Sequence, residues 1–261
     1  MNDQSGGDLV QIVIWSLLLI IVTSFYIGAG VFSSRSPRLR NWPQHRYLLF
    51  ITGVLSAGAA IFGPLAELAH MDFRYHMISH LLLGMLAPLL LVLAAPVTLI
   101  LRTVPPAKAR QLTSLLRSRY VSFISHPLTA SLLNIGGLWI LYTTGLYPLM
   151  HESLWLRILV HVHVFFAGYL FTLAMIYIEP VAHRYGYLYR TIVFVFALAA
   201  HGILSKYLYA SPPEGVTKTK AETGSMIMYY GGDIIDAIII FILCLHWYKS
   251  ASPRKISAAG T

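Results

Sequence analysis

The chain has 261 residues, of which 57% are hydrophobic and only 11% charged, with a formal net charge of +9 and a mean hydropathy of +0.67. Soluble domains carry about a quarter charged residues, so this composition excludes a water-soluble enzyme, and its apolar content excludes a disordered chain. A single cysteine excludes an internal disulfide, a CxxC redox pair and a thiolate metal cluster.

A helix crosses the hydrocarbon core of a bilayer with about 20 mainly apolar residues. Seven such stretches are read in chain order: 9–32, 47–66, 76–101, 127–147, 155–178, 188–209 and 227–248. The first is expected to be retained as a span, because Asp3 and Asp8 stand where a cleavable leader has basic residues. Pro88 and Pro96 predict a disturbed third helix. Residues 105–120 bring Leu112, Leu115 and Leu116 near one helical face beside basic residues, the pattern of an interfacial or a solvated loop helix. Short connections leave no second domain, so residues 1–261 are read as one all-α, polytopic membrane domain, a seven-helix bundle.

Charge predicts its orientation. Arg35, Arg38, Arg40 and Arg46, then Arg102, Lys108, Arg110, Arg117 and Arg119, then Arg184 and Arg190, and in the tail Lys249, Arg254 and Lys255, share one side. Arg74, Arg157, Lys206, Lys218 and Lys220 fall on the other. The positive-inside rule then sets the N-terminus outside and the C-terminus in the cytoplasm. The basic surplus is a topology signal, and no nucleic-acid-binding module accompanies it.

The 11 histidines are distributed unevenly. His45, His126, His183 and His246 fall to the cytoplasmic side, whereas His70, His76, His80, His151, His161, His163 and His201 fall to the outer side. At 1.5 Å per residue His80 lies roughly 5–8 Å into its helix, His161 and His163 roughly 10–12 Å, and His201 about 12 Å from the outer end of its own. Asp233 is about 9 Å into the last span. Ionisable groups at membrane depth face the bundle interior or a wet cavity, which makes each of these a candidate site residue. His76 and His80 are i and i+4 on one face, the spacing at which two imidazoles can hold one metal; Asp233 and Asp236 are i and i+3. His161 and His163 are about 200° apart, so only one of them faces inward.

Imidazole and thioether without thiolate suit copper, and imidazole with carboxylate suits zinc. The candidate metal ligands are His76, His80, His161, His163 and His201, with Asp233, Asp236, His70 and Met77 as supporting groups or further ligands. No catalytic residue is assigned. Three other readings stay open: a zinc-dependent intramembrane hydrolase, a haem-binding electron carrier, and a scaffold whose histidines only satisfy hydrogen bonds.

The run HMISHLLLGMLAPLLLVLAAP at 76–96 resembles the signature of the CtaG family, integral-membrane assembly factors of caa-type cytochrome c oxidase. His126-Pro127, HVHVFFAGYLF from 161, IEPVAHRYGYLYR from 178 and AAHGILSKYL from 199 follow in the family's order. Two stretches depart from it. Glu179-Pro180 stands where Asp-Pro is expected, and MIMYYGGDIIDAIII where an Asp-Gln, Trp-containing stretch is expected. The resemblance implies oxidase maturation in a bacterial cytoplasmic membrane, with oxidase subunits as clients, lipids as neighbours and copper delivery as the task.

Overall fold

The computed structural model describes residues 2–37 and 39–251, with side chains from residue 13 onward. Arg38, Arg254, Lys255 and the side chains of Asp3 and Asp8 lie outside the described residues. Within them the chain is helical throughout, with no strand. In order the helices are α1 (Asn2–Ser34), α2 (Gln44–Ile61), α3 (Pro64–Met71), α4 (Phe73–Thr103), α5 (Pro106–Leu116), α6 (Arg119–Ile124), α7 (127–143), α8 (Leu146–Glu152), α9 (Leu154–Ile176), α10 (Tyr187–Ala210) and α11 (Lys218–Ala251).

Among the described residues five helices are long and apolar enough to cross a membrane: the Val13–Ser34 part of α1, α4, α9, α10 and α11. Helices α2 and α3 make a sixth if their 42° bend lies within one span. The bend falls at Gly63, whose φ of 77° is open to glycine and strained for other residues. The expected span 127–147 stops early. Its helix consists of contiguous pieces of 5, 5 and 7 residues, Pro127–Ser131, Leu132–Gly136 and Gly137–Thr143. Thr143 and Thr144 turn their hydroxyls back onto the carbonyls of Trp139 and Ile140, both at 2.6 Å, and compete with the helical ladder just before Gly145.

Large apolar side chains cover the outside, with Phe25 78%, Phe196 73%, Ile234 67% and Phe241 66% exposed. A soluble bundle would bury such a belt, and lipid is the solvent that tolerates it.

Helix α4 is built from breaks. Pro88 has no N–H to offer the Gly84 carbonyl, and the preceding turn widens into a π-turn over Leu82–Leu86. Gly84 then meets Gly168 of α9 so closely that a Cβ on Gly168 would overlap the Gly84 carbonyl. Further on, Ala95 is left-handed at φ 56° and Pro96 begins a new helical piece. The carboxylate of Glu179, from the segment after α9, caps that piece. It accepts from the N–H of Val97 at 2.7 Å, the N–H of Thr98 at 2.9 Å and the Thr98 hydroxyl at 2.6 Å. Tyr26 ties α1 to the same break by donating to the Ala94 carbonyl at 2.6 Å, while its ring stacks on Phe50.

The turn between α9 and α10 is locked by Arg190. It is 2% exposed, donates to the Met175 and Tyr185 carbonyls, and lies between the rings of Tyr177 and Tyr187 at 4.2 and 4.5 Å. A stacked guanidinium with carbonyl partners is a low-cost way to bury a cation.

Candidate metal site

His76 and His80 share a face of α4 but stand about 6 Å apart along its axis. That offset gives them different neighbours and divides the histidines into two tiers.

The outer tier gathers around His76. Its Nε2 lies 3.0 Å from the Tyr142 hydroxyl, and its ring stands edge-on to Tyr147 at 5.1 Å and tilted to His151 at 6.2 Å. His151, at the end of α8, also meets His70 of α3 at 5.7 Å, and its buried Nε2 has no hydrogen-bond partner. Burial, with the Arg157 guanidinium nearby, holds His151 below the ordinary histidine range. Arg157 lies 3.0 Å from the Nε2 of exposed His70 and donates to the His151 carbonyl at 3.3 Å.

His161 and His163 separate as their phase requires. His161 donates its Nδ1–H to the Arg157 carbonyl at 2.9 Å and lies within electrostatic range of His76 and His151. His163 is exposed on the other side of α9. It donates to the Leu133 carbonyl of α7 at 3.1 Å and packs on Gly137, away from the tier.

The inner tier pairs His80 of α4 with His201 of α10. Their rings are 6.4 Å apart and inclined by 30°, the residues are 7% and 4% exposed, and the buried Nε2 of each has no partner. His80 packs beside Gly84, and His201 packs so tightly on Gly232 that a Cβ there would come within 2.6 Å of its Cε1. Both rings line a cavity of about 20 Å³, together with Met85, Asn134, Phe171 and Asp236. That volume suits one water or one ion. Two of these wall residues come from π-turns, Met85 from Leu82–Leu86 in α4 and Asn134 from Leu132–Gly136 in α7. A π-turn shifts the register of a helix by one residue and is frequent at functional sites.

The carboxylates divide as well. Asp236 is 4% exposed at the cavity, while Asp233 is exposed on the outside of α11. Met77 is fully buried in an apolar cluster with Phe73, Leu204 and Met228, off the cavity. Among the described residues, no three His, Cys, Asp or Glu side chains converge closely enough to hold one metal ion. Sequence reasoning placed His151 on the outer side without assigning it to the site, and missed Tyr142, Tyr147 and Asn134. A lone amide inside an apolar run was the available signal for Asn134.

Residues 24–250 match the family described as cytochrome c oxidase caa3 assembly factor (Caa3_CtaG). An uncharacterized protein of Mycobacterium bovis is 34% identical over 178 residues, 64% of this chain and 26% of that protein. An uncharacterized protein of Mycobacterium leprae is 33% identical over 182 residues, 66% of this chain and 28% of that protein. The chain thus spans about a quarter of the length of these curated relatives. No solved structure matches it. With several membrane-length apolar helices and a match over nearly its whole length, the chain is a multi-pass membrane protein that belongs to the caa3 cytochrome c oxidase assembly factor family.

Proposed function

We propose that this protein carries copper to cytochrome c oxidase subunits during their assembly, holding the ion between His80 and His201 near the outer face of a bacterial cytoplasmic membrane. In this reading the shorter helix α7 completes a seven-span bundle with the N-terminus outside and the C-terminus in the cytoplasm, as the basic loops favour. His70, His76, His151 and His161 form the entrance through which the ion reaches the inner pair.

The observation that carries the reading is the buried His80 and His201 pair: both residues line one small cavity, and the Nε2 of each is unpartnered. Leaving a buried ring nitrogen unsatisfied costs about 1–3 kcal/mol, so two such rings lining one cavity favour a ligand there. Ring centroids 6.4 Å apart are close to what two imidazoles adopt around one ion bonded at about 2 Å to each. Copper(I) accepts two imidazoles in a line, whereas structural or catalytic zinc takes at least three protein ligands. Met85 and Asp236 stand by as further contacts during transfer. A cavity of about 20 Å³ has no room for a lipid chain or a porphyrin, so the hydrolase and haem readings draw no support from it.

The test is metal content after loading purified protein with copper(I). Wild type retains about one copper per chain, and the volume-conserving His80→Leu/His201→Leu variant retains none while staying folded. Equal copper in the two would overturn the assignment.

A further inference from the structure

The opposite end of the bundle carries a second site of different chemistry. An open pocket of about 430 Å³ lies between the 117–129 segment and the connection from α9 to α10. Its walls include Arg117, Arg119, His126 and His183, with hydroxyls from Ser122, Thr129 and Tyr185. No carboxylate lines it, and neither 102–126 nor 181–190 contains an Asp or Glu. Among the described residues, neither Arg117 nor Arg119 is in a salt bridge. The nearest acid in sequence, Glu179, is committed to Val97 and Thr98. The first turn of α7 begins at this pocket, with His126 as its cap, so the positive end of that helix adds to the side-chain charge.

The same segment carries an apolar rim. Tyr120 is 86%, Phe123 67%, Leu115 61% and Leu128 50% exposed, and Phe123 and Leu128 also line the pocket. Cationic and hydroxyl donors inside with bare apolar side chains at the mouth match an amphiphile that has an anionic head and acyl tails. We infer that this pocket binds the phosphate of an anionic phospholipid headgroup, with the acyl chains lying over Phe123 and Leu128. A basic pocket between helices at the cytoplasmic leaflet is the setting in which such heads are held. The inference does not depend on metal at the histidine tiers.

The experiment compares retention of phosphatidylglycerol and phosphatidylcholine by the full chain in nanodiscs, with inorganic phosphate as the free-anion probe. Wild type retains phosphatidylglycerol in preference. Arg117→Gln/Arg119→Gln weakens that retention roughly tenfold, which is about 1.4 kcal/mol. Lys108→Gln/Arg110→Gln on α5, outside the pocket, removes the same charge with under about a twofold effect. Arg117→Lys/Arg119→Lys keeps most of the retention, which a folding defect would not. Equal losses in the two Gln doubles would reduce the effect to diffuse surface charge and overturn the pocket. Phosphate that raises the melting temperature of wild type but not of Arg117→Gln/Arg119→Gln, while lipid retention stays unchanged by that double, would overturn the lipid assignment in favour of a free anion.

Discussion

Glu179 and Arg190 at one end of the bundle and three histidines at the other are buried in opposite ways. At the α9–α10 end, Glu179 accepts three short hydrogen bonds and Arg190 is wedged between two tyrosine rings with carbonyls to donate to. At the histidine end, ring nitrogens of His80, His151 and His201 are buried without partners. A satisfied buried group is an architectural joint, since its removal strands its partners. An unsatisfied one adds no such joint and costs stability until a partner reaches it. The contrast separates what holds the molecule together from what the molecule holds.

Glu179→Ala should have the largest effect on folding, about 3 kcal/mol, because it leaves the part-buried N–H groups of Val97 and Thr98 and the Thr98 hydroxyl without their partner at a helix start. Thermal unfolding in detergent measures it, and a loss under about 1 kcal/mol would break the contrast. Asp72→Ala comes next, at about 1 kcal/mol, through loss of the α4 cap and of its links to Arg74 at 2.7 Å and Lys220 at 3.3 Å. Hydrogen bonds from Arg74 hold the Asp72 carboxyl well below the usual carboxylate range. Its contribution is therefore present above the unfolded value of about 3.9 and is lost as pH falls below it. Unfolding midpoints compared at pH 7 and pH 3 should show the Asp72→Ala deficit shrinking in acid. The smallest effect belongs to His80→Leu, within about 1 kcal/mol of wild type or above it, since an apolar side chain of similar size removes an unpaired nitrogen. A destabilisation as large as that of Glu179→Ala would mean that His80 is itself a joint.

Much of this was legible in the sequence. Hydropathy located the long helices, and Pro88 and Pro96 marked the places where α4 breaks. Depth arithmetic found the histidine layer, but periodicity reports a face and says nothing of height against neighbouring helices. His76 and His80 therefore read as one pair, although one turn of rise gives each a different partner. Asp233 and Asp236 differ by 60° around α11, enough to leave one at the cavity and one outside. The early end of α7 depends on two threonine hydroxyls folding back, which a hydropathy window counts as neutral. Neither π-turn leaves a periodic trace, because one surplus residue looks like ordinary drift over so short a run.

Those π-turns have a common mechanical reference. Helix α9 touches both: Gly168 rests against the Gly84 carbonyl in α4, and His163, five positions earlier on the same helix, holds the Leu133 carbonyl in α7. The irregular turns that carry Met85 and Asn134 to the lining of the inner cavity are thus both in contact with a single strut. Packed helices resist bending, so both irregular turns are braced against one element. His163, which the sequence offered as a ligand, thus serves as one of the two contacts through which α9 steadies the helices around the cavity.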